Sequence, residues 1–210
     1  MENLTADRSY VVMDRLPGAT LNELTYRRPE ILEEHKVTIA YQLGMHMAFA
    51  YVFGAKDGFQ TNYIFDTVSK ILTRIDKESF FDMPVDPDVS FEDNDEYTQE
   101  IAACELSNLK YIPSFRKAET RPQVIIAFRQ GFIDKYQDIK DMRGRLLEMT
   151  LNARKTWKGF RQIEDMIEYD QDTDRIHAKV AKLIDQDPDK VFDRLLKAKA
   201  EVDTGRYAKK

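Results

Sequence analysis

The chain holds one cysteine, Cys104, and three histidines, His35, His46 and His177, in 210 residues. A single thiol excludes an internal disulfide framework and any zinc site built on paired cysteines, and three scattered imidazoles give no multi-histidine metal site. Glycine is scarce at eight residues. Neither the G-x-x-x-x-G-K-[ST] phosphate loop nor the G-x-G-x-x-G dinucleotide fingerprint occurs. No run of about 18 apolar residues exists, so no membrane span is expected. Residues 1–8 lack the basic stretch and apolar run of a secretory signal, and a reducing, cytoplasmic setting is the default expectation. The net charge of −5 argues against a nucleic-acid binder that relies on a globally basic surface.

What is present suffices for a packed core. Hydrophobic residues make up 42% and charged residues 33% of the chain, a balance that fits a folded protein and not a disordered one. At roughly 100–200 residues per domain, the length fits one domain or one and a half.

Taken in order, residues 9–16 form a short β-rich run that Pro17-Gly18 breaks, which predicts a strand and a turn. A short helix is expected to start within residues 20–22, and Pro29 marks the next helix start. The strongest helical stretch is 30–53, where Val37, Ala40, Tyr41, Gly44, Met47, Ala48 and Tyr51 recur at spacings of three and four. It is apolar around most of its circumference after Val37, the pattern of a helix buried mid-domain, and Gly54 ends it. After a polar loop over 56–61, two β runs (62–65 and 71–75) flank the turn 66–70 and predict a hairpin, which Asp76 follows directly.

From residue 82 to 100 there are eight acidic residues and no basic one, with Pro84 and Pro87, as in a solvated segment. Asp86, Asp88 and Ser90 mimic the start of a calcium loop, but Phe91 and Tyr97 stand where glycine and glutamate are needed. Asp170, Asp172 and Asp174 fail likewise, with Arg175 at the glycine place. Helices are expected over 100–111, over 122–139 (Val124, Phe128, Phe132 and Tyr136 at four-residue steps), over 141–169 with a break near Gly159, over 174–184, and from the capping pair Asp187-Pro188 to about residue 202. His46, with no second histidine one turn away, is expected to be a satisfied core histidine, and Cys104 to pack as a small apolar residue. Trp157, Phe160 and Ile163 are expected in the core.

One constellation suggests chemistry. A buried helix leads into Asp57, Asn62 lies five residues on, a hairpin follows, and Asp76 stands at the end of its second strand. Phosphoryl transfer from a nucleotide needs such a set: a carboxylate to take or orient the hydroxyl proton, and an amide oxygen with a second carboxylate to hold Mg²⁺ against the phosphates.

These residues resemble the kinase-like superfamily, specifically the C-terminal lobe of its aminoglycoside-phosphotransferase and phosphatidylinositol-kinase branches. Asp57-Gly58-Phe59-Gln60-Thr61-Asn62 is similar to the D-x-x-x-x-N catalytic loop, and Ile75-Asp76-Lys77-Glu78 to the metal-binding motif. Tyr10-Val11-Val12-Met13-Asp14-Arg15-Leu16-Pro17-Gly18 looks like the adenine-binding hinge strand.

The resemblance covers residues 9–82. It implies a mainly α, α+β fold: a kinase-like C-lobe with a short catalytic-loop hairpin and a helical C-terminal half. Its division would be an arm over 1–8, the lobe core over 9–140 and a helical region over 141–210 packed on it. It further implies ATP and Mg²⁺ as cofactors, Asp57 as catalytic residue, Asn62 and Asp76 as metal ligands, and Met13, Asp14, Arg15, Leu16 and Lys56 as nucleotide-binding residues.

The departures are as concrete. Only eight residues precede the hinge-like strand, with no place for a glycine-rich loop or a strand lysine. Ala55 and Phe59 stand where relatives carry histidine or a cation, a role left to Lys56 or Lys77. The expectation is therefore an ATP-dependent phosphotransferase or a truncated relative: a fragment of a longer kinase, a chain that receives the other lobe from a partner protein, or a degenerate, inactive relative. The rival expectation is a non-catalytic helical scaffold that binds partner proteins through its acidic segment and helical half.

Overall fold

The computed structural model describes residues 16–55, 58–75, 95–149 and 163–203, with the backbone alone over 95 and 163–173. Gly18, at φ +112°, turns the chain into strand β1 (Ala19–Thr20). A Cβ on Gly18 would stand 2.4 Å from the Phe65 carbonyl oxygen, so only glycine admits this approach. Thr20 then caps helix α1 (Leu21–Arg27) through a reciprocal box: its hydroxyl accepts from the Glu23 N–H, and the Glu23 carboxylate accepts from the Thr20 N–H. Pro29 opens α2 (Pro29–Glu34), as its fixed φ favours.

The predicted helix over 30–53 is two helices. The chain bends at His35, and α3 runs Lys36–Phe53. No glycine or proline marks the bend. His35 packs its ring against Phe65, with centroids 5.3 Å apart. Gly54, at φ +61°, ends α3 as predicted.

A 3₁₀ turn (Gln60–Asn62) leads into the predicted hairpin, β2 (Tyr63–Asp66) and β3 (Ile71–Arg74). The strands form one antiparallel sheet in the order β1-β2-β3, with Ala19 opposite Phe65 and Tyr63 opposite Arg74. In the turn, the Asp66 carboxylate accepts from the Val68 and Ser69 N–H groups. The outer edge of β3 is covered by α3. Gln42 accepts from the Leu72 N–H at 2.8 Å and donates to the Lys70 carbonyl at 2.8 Å, and the His46 Nε2 donates to the Leu72 carbonyl at 2.9 Å. An edge strand so satisfied is locked to its helix and closed to further pairing.

The C-terminal half is helical: α4 (Asp95–Ser107), α5 (Arg121–Asp141), α6 (143–149), α7 (Ile163–Ile184) and α8 (Pro188–Asp203), with 3₁₀ turns at Asn108–Tyr111 and Pro113–Arg116. Three expectations are corrected. The acidic segment does not stay irregular to residue 100, because α4 starts at Asp95 and buries Tyr97, Ile101 and Ala102 on one face. The helix expected over 100–111 ends at Ser107 and tightens into a 3₁₀ turn. The helix expected over 174–184 is the second half of α7. The Asp187 cap is as predicted, its carboxylate accepting from the Asp189 N–H at 3.0 Å.

The core centres on α3, whose Ile39, Ala40, Leu43, Met47, Ala48, Tyr51 and Val52 are fully buried. It crosses α5 at two reciprocal glycines. A Cβ on Gly44 would lie 1.9 Å from the Phe128 carbonyl oxygen, and one on Gly131 would lie 1.9 Å from that of Tyr41. Backbone therefore meets backbone there, and Phe128, Phe132, Tyr136 and Phe192 close the layer between α5 and α8. The helices of residues 163–203 pack on α3, α4 and α5. Among the described residues no helix is long and apolar enough to cross a membrane.

Candidate functional site

The hairpin register fixes Asn62. Continuing the pairing of Tyr63 with Arg74, Asn62 faces Ile75, whose N–H donates to the Asn62 carbonyl at 2.8 Å. The Asn62 N–H donates to the Phe59 carbonyl at 2.8 Å, and its side-chain oxygen accepts from the Thr61 hydroxyl at 3.2 Å. Asn62 is half-buried at the mouth of the hairpin. Asp76 is the residue after Ile75 in the chain, and it lies outside the described residues, as do Lys56, Asp57, Met13, Asp14, Arg15 and Lys77. Of the predicted nucleotide-binding residues, Leu16 alone is described, and it is 41% exposed. The calcium-like run at Asp86, Asp88 and Ser90, together with Trp157 and Phe160, also falls outside them, and for Ile163 the backbone alone is described.

Beneath the loop lies a cluster that the sequence reading missed. Arg74, at the end of β3, is 5% exposed, and Glu105, on α4, is 1% exposed. The Arg74 Nη1 donates to Glu105 Oε1 at 3.0 Å, and its Nη2 donates to the Ala55 carbonyl at 3.0 Å. The Tyr63 hydroxyl donates to Glu105 Oε2 at 2.6 Å. Asn108, just past α4, donates its amide to the Gly58 carbonyl at 2.6 Å. Gly58 lies so close that a Cβ there would stand 1.9 Å from Glu105 Oε1.

Burial pushes the Glu105 carboxyl up to about 7, against the opposing pull of Arg74 and the Tyr63 hydrogen bond. Burial, reinforced by Glu105, also holds the Tyr63 phenol well above its ordinary range. Two sequence signals pointed to this cluster. Arg74 shares the inward face of β3 with Leu72, two residues before it, and Glu105 continues the four-residue stripe of Tyr97 and Ile101. A charge on each buried face calls for a partner, and the two are each other's.

His46 is satisfied by the Leu72 carbonyl as expected, but it is half-buried at the wall of a pocket and not in the core. Cys104 is half-buried and in no disulfide. A pocket of about 350 Å³ opens where α3 meets β3, lined by Met45, His46, Phe49, Leu72, Arg74 and Lys135 among others; Asn62 does not line it. Among the described residues no three His, Cys, Asp or Glu side chains gather closely enough to hold a metal ion. No protein-family model, curated protein or solved structure matches the chain.

Proposed function

We propose that the chain is a kinase-like phosphotransferase module that binds Mg–ATP at the mouth of the hairpin, through Asn62 and the flanking Asp57 and Asp76. The observation that carries this reading is the register. Asn62 is paired backbone to backbone with Ile75, the residue that precedes Asp76 in the chain. Ala55 and Gly58, the residues bracketing Lys56-Asp57, are both tied to the same small region.

Donor chemistry fits the ion. An amide oxygen and carboxylates are hard ligands that suit Mg²⁺, and the half-buried Asn62 already stands on a fixed backbone. Bound there, the metal would neutralise charge on the β- and γ-phosphates. Asp57 would accept the proton of an acceptor hydroxyl as that oxygen bonds to the γ-phosphorus and ADP departs. Lys56 would offer a cation beside the phosphates, in the place that histidine or another cation takes in relatives.

Mg–ATP is expected to raise the melting temperature. A hundredfold excess over Kd is worth about 2.7 kcal/mol, or roughly 5–10 °C for a chain of this size. Asp76→Ala is expected to abolish that rise. No rise in the unmodified chain would reject the reading and leave the helical, partner-binding scaffold as the account of the fold.

A further inference from the structure

We infer that Arg74, backed by Glu105, is a positioning residue of the proposed nucleotide site: a buried brace that fixes the start of the loop bearing Asp57 relative to the end of the strand leading to Asp76. The inference rests on the phosphotransferase reading. Arg74 lies two residues before Asp76, and the carbonyl it grips, Ala55, lies two residues before Asp57. One guanidinium therefore ties together the two chain segments that carry the candidate carboxylates. Its Nη1 and Nη2 are committed to different targets, Glu105 and Ala55, so the planar fork sets a direction as well as a distance. On the far side of Lys56-Asp57, Asn108 holds the Gly58 carbonyl, and Gly58 itself sits against Glu105. Both ends of the two-residue stretch are thus held from one cluster.

Energetics favour this role over simple stabilisation. A fully buried ion pair gains little net stability over apolar residues of the same volume, because desolvation offsets the attraction. What apolar residues cannot do is grip the Ala55 carbonyl from β3. Misplacement of a reacting group by about 1 Å costs on the order of a hundredfold in rate, so a fixed loop is where such a pair has its use. Lysine at position 74 keeps the charge but, with a single nitrogen, lacks the fork that reaches both partners.

The test is the melting temperature with and without Mg–ATP, for the unmodified chain, for Arg74→Lys, for Glu105→Gln, and for the triple change Arg74→Met, Glu105→Leu and Tyr63→Phe. Glu105→Gln keeps one oxygen to accept from Arg74, its amide N–H donates to a Tyr63 hydroxyl turned round to accept, and the variant is expected to retain the nucleotide-induced rise. Arg74→Lys is expected to lose about half of it or more, with Mg–ATP affinity falling about tenfold or more. The triple change removes the ion pair and the phenol together, so that a folded protein still reports on the loop if Arg74→Lys fails to fold. It too is expected to lose about half of the rise or more.

A purely structural role would lower the ligand-free melting temperature and leave the rise intact. A full rise in Arg74→Lys or in the triple variant therefore overturns the brace while the phosphotransferase reading stands. Absence of a rise in the unmodified chain overturns the reading, and the brace with it.

Discussion

The seam between α3 and α5 and the cluster beneath the hairpin are both buried, yet they are made differently. The seam is glycine, aromatic ring and aliphatic chain: Gly44 against the Phe128 backbone and Gly131 against that of Tyr41, with Leu43, Met47 and Phe132 filling the remainder. Its free energy comes from apolar area and close packing, which have no direction and tolerate no extra volume at the crossing. The cluster is organised by Arg74, Glu105, Tyr63 and Asn108, whose hydrogen bonds have directions and specific partners. The contrast teaches that the seam is intolerant of added volume and the cluster of a lost partner, so substitutions in the two should fail for different reasons.

The sharpest contrast should come from Glu105→Ala. It leaves the Arg74 guanidinium buried without its carboxylate and is expected to cost about 4 kcal/mol, read as a lowered denaturation midpoint. A cost below that of an ordinary surface substitution would show that water enters the cluster and that the ion pair is not buried in solution. Next comes the seam. Gly44→Ala pushes a methyl group into a backbone oxygen that no rotamer change can move aside, and about 3 kcal/mol is expected by the same denaturation experiment, even after alanine's better helix propensity is counted. A neutral Gly44→Ala would mean that the two helices stand further apart than described.

The smallest effect is a pH dependence confined to the cluster. Glu105 is held up to about 7 in the folded chain, against 4.5 as its ordinary value. Between those values the folded state binds the proton more readily than the unfolded state. The contribution of this group to stability is therefore fully present below the ordinary value and lost as pH rises through about 7. The groups facing it are Arg74 and Tyr63. Measured as the difference in melting temperature from Glu105→Gln, the unmodified chain should lose stability relative to the variant from about pH 5 to about pH 8. A flat difference would show that Glu105 keeps one protonation state throughout.

The two regions also differed in how far they could be seen in the sequence. The apolar period of residues 37–53 announced α3, Gly54 its end, and the four-residue steps of Val124, Phe128, Phe132 and Tyr136 announced α5, because each signal is local and repeats. The hairpin was legible for the same reason, in two β-rich runs around a polar turn. The bend at His35 was not, since no glycine or proline stands there to break the helix. Nor was the continuity of 163–184 as one helix, since helices were expected to end at 169 and begin again at 174.

The polar cluster is the opposite case. Arg74 and Glu105 are 31 positions apart, and each has an ordinary neighbourhood in sequence. Only the parity of β3 and the stripe on α4 mark them, and a mark on one face does not identify the partner. For the site itself, Asn62 is placed opposite Ile75 as the hairpin expectation required, while Asp57 and Asp76 rest on motif order and lie outside the described residues.

The most direct test of the nucleotide reading is a crystal structure of the chain with Mg²⁺ and a non-hydrolysable ATP analogue. The account predicts one metal ion at the hairpin mouth, bound by the Asn62 side-chain oxygen and the Asp76 carboxylate at about 2.1 Å, with Asp57 facing the γ-phosphate. Asn62, Asp57 and Asp76 pointing to separate faces, or the analogue bound away from the hairpin, would contradict it.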